Sequence, residues 1–155
     1  MGIYEVRKYF NENCIFETII EFDVSSATVE LAAQALGVAP KRIAKTLTFQ
    51  QGESAILLVA AGDARVDNRK FREAFGQKAK MLPPERVNEL TGHPVGGVCP
   101  FALAHPLKVY LDASLKRFDT VYPAAGSAAS CVVITPDRLQ ALTDAKWVDV
   151  CNIAQ

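Results

Sequence analysis

Metal-binding and disulfide spacings are missing from this chain. Its four cysteines, Cys14, Cys99, Cys131 and Cys151, are widely separated and form no CxxC pair or Cys/His cluster. That argues against a zinc site or a disulfide scaffold, and neither metal nor cofactor is expected. The GxSxG, P-loop, HExxH and GxGxxG patterns are absent as well, which removes the common serine-hydrolase, nucleotide and zinc-protease chemistries. Long apolar runs are also lacking: the longest, Ala55 to Ala61, is far too short to cross a bilayer. Met1 to Phe10 carries charges where a signal peptide needs an apolar stretch. The expectation is a cytoplasmic protein with no membrane partner. Formal net charge is zero, so the chain as a whole does not attract polyanions.

What remains is ordinary globular composition. The 155 residues are 50% hydrophobic and 22% charged, enough for one domain over 1–155 with a proper core. Helices are predicted over 3–12, 28–36, 68–75, from Pro83-Pro84 to about Leu90, and over 136–143. Their ends carry capping residues such as Asp67, Gly37 and Gly76. Strands are predicted over 15–22, 43–49, 55–61, 78–82, 107–111, 119–123, 131–135 and 147–151. The order mixes hairpin-like pairs with helices and is not regularly βαβ. It predicts an α+β fold: a mixed, strongly curved, barrel-like sheet with helices around it.

The stretch Ile43 to Phe49 carries the first chemical lead. In a strand, Ile43, Leu47 and Phe49 share one face, and Lys45 lies in phase with them. An ammonium aimed at the core needs an anionic partner, a wet cavity or a shifted pKa. The plainer reading is an edge lysine that snorkels outward or pairs with a structural carboxylate such as Asp63. The second lead is the loop Gly92 to Pro100. Gly96-Gly97 lets main-chain N–H groups approach a ligand, and Pro94 and Pro100 stiffen the flanks; such loops are also plain turns. Gly62-Asp63 ends the apolar strand, and Asp63 is either an orienting carboxylate or a turn residue. A Cys99–His93 pair has the residue types for thiolate attack, though nothing in the spacing demands it. Residues 65–80 hold six basic against two acidic residues, either a solvated helix face or a phosphate-contacting patch.

Together these pieces resemble a known family. Val29 to Val38 followed by Arg42-Ile43-Ala44-Lys45-Thr46-Leu47 looks like the opening signature of the YbaK-like aminoacyl-tRNA deacylases, relatives of the editing domain inserted in bacterial prolyl-tRNA synthetases. Gly62 to Asp67 with Lys70, Thr91 to Phe101, Val109 to Asp112, Gly126-Ser127 and Ile134 to Pro136 fit in order along nearly the whole chain. The resemblance implies hydrolysis, in trans, of the ester joining a wrong amino acid to tRNA, most simply alanine or cysteine on tRNA(Pro). A silent tRNA-binding or synthetase-associated module of the same fold is the alternative. It implies Lys45, Gly96 and Gly97 as catalytic residues. Thr46, Gly62, Asp63, His93, Val98, Cys99, Pro100, Gly126 and Ser127 are implied to bind substrate, with Arg65, Arg69 and Lys70 as tRNA contacts. The aminoacylated 3′ end of tRNA and prolyl-tRNA synthetase are the implied partners. Many members of the family carry a basic residue just after the glycine matching Gly126, where this chain has Ser127.

Overall fold

In a computed structural model, which describes residues 2–153, the fold is built on β3 (Ser54–Ala61). Every residue of β3 from Ala55 to Ala61 is buried. The run is apolar on both faces because both faces are covered, as in the centre of a sheet. β3 pairs antiparallel with β2 (Ile43–Gln51) and parallel with β5 (Lys108–Asp112). β6 (Tyr122–Pro123) extends the sheet beyond β2 and β8 (Lys146–Val148) extends it beyond β5, giving the order β6-β2-β3-β5-β8. This mixed, curled five-stranded sheet, flanked by helices, is the α+β architecture expected. Two short ribbons complete it: β1 (Ile19–Glu21) with β7 (Ser130–Val132), and β4 (Ala64–Val66) with β9 (Cys151–Ile153).

The helices form where capping residues start and stop them. They are α1 (Gly2–Glu12), α2 (Val29–Leu36), α3 (Asn68–Phe75), α4 (Pro84–Thr91) and α5 (Pro136–Thr143). Asp67 caps α3 by accepting from the Lys70 amide, and Gly76 closes it at φ 71°. Helix α3 is anchored by Phe71, fully buried between Phe49 and Phe75 at ring separations of 4.8 and 4.6 Å. Burial of such a ring stabilises by about 2–3 kcal/mol. At the other end of the sheet the buried Asp112 accepts from the amides of Ser114 and Val150, both at 2.9 Å. That ties β5 to the chain entering β9 and satisfies a carboxylate that would otherwise be costly to bury.

Several expected strands are shorter than predicted. Residues 15–22 yield only β1, and 78–82 yields a single bridge from Met81 to Phe49. The expected strand over 147–151 is instead two, β8 and β9, and β4 carried too few residues for the pattern to show. Met1, Ala154 and Gln155, included in the expected domain, lie outside the described residues.

Candidate functional site

The outer edge of β2 is covered at its two ends and open between them. At one end Ile43 and Ala44 pair with β6. Arg42 fixes that junction, donating to the Thr120 carbonyl at 3.2 and 3.3 Å with its guanidinium over the Tyr122 ring. At the other end the Leu82 amide donates to the Thr48 carbonyl (3.0 Å) and the Gln50 amide to Lys80 (2.8 Å). A cleft of about 380 Å³ lies along this edge, and Lys45, Thr46, Leu47 and Thr48 form part of its wall. The loop 26–28 and the first turn of α2 line it, as do Leu82 and Val87, Val95 to Val98 without Gly97, and Tyr122. The lining is mainly apolar, with Ser26 and Thr46 each contributing a buried hydroxyl that has no hydrogen-bond partner. Two exposed apolar side chains, Met81 at 53% and Val95 at 63%, belong to the same wall.

Lys45 is half-buried, and its ammonium donates to the main-chain carbonyl of Ala64 at the start of β4. Burial pushes its pKa down; Cys151 and Asp63 pull the other way, and Arg65 adds to the lowering. No carboxylate among the described residues lies within ion-pairing distance of it. Asp63 is not its ion-pair partner, because Arg117 grips both carboxylate oxygens of Asp63, at 2.6 and 3.1 Å. That guanidinium holds the Asp63 carboxyl below its usual range.

The glycine-proline loop is set by close approach. Gly96 has φ 91°, a conformation that favours glycine, and an added Cβ there would sit 3.1 Å from Ala27. A Cβ at Gly97 would lie 2.6 Å from the main chain of Ser127. The Gly97 amide is already used inside the loop, donating to the Pro94 carbonyl at 3.0 Å. The Ser26 amide donates to Ala128, so the 26–28, 94–98 and 126–130 loops are joined at one end of the cleft. Gly126, at φ 95°, packs its α-carbon against the main chain of Gly2, and Ser127 bonds Ser130 across the turn at 2.7 Å. Gly62 is needed for a different contact: a Cβ there would strike the Pro40 carbonyl.

The structure therefore brings Lys45, Thr46, Gly96 and Val98 to one cleft. It places Gly62, Asp63, Gly97, Pro100, Gly126 and Ser127 outside the cleft lining. Cys99 and His93 lie in the core, each at 0% exposure. His93 Nε2 donates to the Phe101 carbonyl at 2.6 Å and sits 3.5 Å from Cys99 Sγ. Burial pushes the Cys99 thiol up to about 12 and the His93 pKa down. A thiolate there is unavailable at neutral pH, so the pair has hydrolase residue types without hydrolase chemistry. Of the basic residues, Arg65 is exposed, Arg69 pairs with Glu73 at 3.3 Å, and Lys70 is held by Asp149 and the Cys151 carbonyl. Ser26, Met81 and Tyr122, which line the cleft, were not singled out from sequence; only chain folding brings them beside β2.

An α+β sheet with a strand edge left open between its paired ends, and a lysine at that edge, frames a mainly apolar binding cleft. The chain belongs to the aminoacyl-tRNA editing domain family, whose sequence model matches residues 24–142. It is 52% identical to the uncharacterized protein YwhH of Bacillus subtilis (strain 168) over 154 residues, 98% of each chain. It is 29% identical over 117 residues to the multifunctional Ser/Thr-tRNA deacylase ProXp-y of Escherichia coli (strain K12), covering 74% of this chain and 70% of that one. A crystal structure described as a candidate trans-editing enzyme for prolyl tRNA synthetase superposes with TM-score 0.89 at 32% identity, over 97% of both chains. No helix among the described residues is long and apolar enough to cross a membrane.

Proposed function

We propose that the protein is a free-standing deacylase of mischarged tRNA, acting on tRNA(Pro) that carries alanine or cysteine. The observation that carries this reading is the cleft: a small, mainly apolar chamber on an open strand edge, with a half-buried ammonium that lacks a carboxylate partner. The terminal phosphate of the tRNA supplies an anion for Lys45, and the exposed apolar surface of Met81 and Val95 suits the terminal base. Water adds to the ester carbonyl carbon, the bond to the ribose oxygen breaks, and the water proton ends on that oxygen. Free amino acid and intact tRNA result. Neither histidine nor Cys99 lines the cleft, and the protein acts by holding the ester and stabilising its developing charge. The ribose hydroxyl beside the ester takes the proton-relaying part. Arg65, Arg69 and Lys70 contribute contacts to the tRNA backbone, which carry little sequence information.

The hydroxyls of Ser26 and Thr46, buried without a partner in the cleft wall, favour a second substrate reading within the same activity, serine or threonine on tRNA, whose hydroxyl would meet them once the wall yields. One experiment decides both the activity and the choice. Purified protein is assayed on tRNA(Pro) charged with alanine, cysteine, serine or threonine, with release of amino acid as readout. Salt-sensitive binding without release from any of them would reduce the protein to a tRNA-binding module.

A further inference from the structure

We propose that the main chain of Thr46 reads the aminoacyl group directly, as if that group were one more residue of a strand. The inference rests on the deacylase reading and names the atoms that hold its substrate. On β2 the Thr48 carbonyl and the Gln50 amide face outward, to Leu82 and Lys80. Main-chain polar groups alternate sides along an antiparallel strand. Thr46, opposite Val59 in the register, therefore turns its own N–H and C=O to the same outer edge. The β6 pairing stops at Ala44 and the next bridge is at Phe49, so no strand among the described residues covers Thr46. The cleft lies there.

An open strand edge presents one donor and one acceptor per outward residue, and extended peptides dock on such edges by completing the ladder. An aminoacyl ester has the matching pair. Its α-ammonium donates to the Thr46 carbonyl oxygen, and its ester carbonyl oxygen accepts from the Thr46 N–H. As water adds, that oxygen gains negative charge and the N–H bond to it strengthens, which is the condition for lowering the barrier. Of the two adjacent loop glycines, Gly97 has its amide engaged with the Pro94 carbonyl. A residue paired directly across from Thr46 places its side chain on the same sheet face as the Thr46 side chain. The main-chain contacts thus also decide which part of the cleft measures the amino acid.

The test compares alanyl-tRNA with propionyl-tRNA, which differ only in the α-amino group, each rate normalised to its own hydrolysis in buffer. A charge-assisted bond to the α-ammonium predicts about a 10- to 100-fold lower normalised kcat/KM for the propionyl ester. Thr46→Val retains the N–H and C=O and is expected to keep this ratio. Thr46→Pro removes the N–H at an edge position that makes no ladder bond, and is expected to lose about 100-fold in kcat. Equal normalised rates for the two esters, or full activity in Thr46→Pro, would overturn the inference while leaving the deacylase reading standing. No hydrolysis of any acyl-tRNA would overturn that reading and the inference with it. If Thr46→Pro does not fold, the two-ester comparison on the unaltered protein decides alone.

Discussion

The Cys99–His93 cluster and the β2 edge invert each other. The first has the reactive residue types, a thiol 3.5 Å from an imidazole, but no exposure at all. The second has one lysine and an open stretch of main chain, with two orphan hydroxyls buried in its wall. Burial makes the difference. It raises the Cys99 thiol to about 12 and so disarms it. At Lys45, burial without a carboxylate partner creates a demand for an anion that a ligand can meet. On the deacylase reading, the site is set by access and unmet electrostatics more than by side-chain reactivity.

The sharpest way to break that contrast is to exchange the losses. Lys45→Ala is expected to lower kcat/KM for deacylation by about 100-fold, as removal of a charge-assisted contact to the substrate phosphate does, with the circular dichroism spectrum unchanged. Normal turnover would remove Lys45 from the mechanism. Gly97→Ala tests the scaffold instead. Its Cβ would meet the Ser127 main chain at 2.6 Å, where no flexible side chain can yield. A destabilisation of about 1–3 kcal/mol is expected from such overpacking, read from urea unfolding. Cys99→Ala is expected to cost only about 1 kcal/mol of packing and to retain deacylation. Loss of turnover in that variant would restore the thiol as a reactant.

Much of the frame could be read from the chain, because local signals and tertiary placement agree there. The run Ala55 to Ala61 is buried on both faces as its composition requires, and Asp67 and Gly76 bound α3 as their side chains and backbone freedom dictate. Lys45 could be found because one charged residue broke an apolar period. The open edge beside it could not. It exists because β6 pairs with only two residues of β2, at a junction held by Arg42 donating to the Thr120 carbonyl, 78 positions away. Asp63 looked free to orient Lys45, and only the fold brings Arg117 to its carboxylate. His93 and Cys99 looked like loop residues among glycines and prolines. Their loop folds inward, with the His93 ring against the Phe101 carbonyl.

The smallest expected effect belongs to His93, and it separates a structural histidine from a catalytic one. Its Nε2–H is committed to Phe101 O at 2.6 Å, so the ring is neutral with Nδ1 bare, and Nδ1 is buried without a hydrogen-bond partner. A proton on Nδ1 would create a cation shut off from water, and burial accordingly lowers the pKa below the ordinary 6.5. In the unfolded chain the ring titrates near that ordinary value. As pH falls through it, the unfolded state binds a proton that the folded state refuses, so stability falls until the depressed folded pKa is reached. Asp63 and Glu17, whose carboxyls their arginine partners hold below 3.8 and 4.5, add their own losses only at lower pH. His93→Gln keeps an N–H for Phe101 and cannot titrate. Its Tm is expected to be lower than that of the unaltered protein at pH 7.5, but to decline less between pH 7 and pH 5. Equal slopes would mean that His93 is protonated without penalty and reaches solvent, which would undo the contrast between the sealed cluster and the open edge.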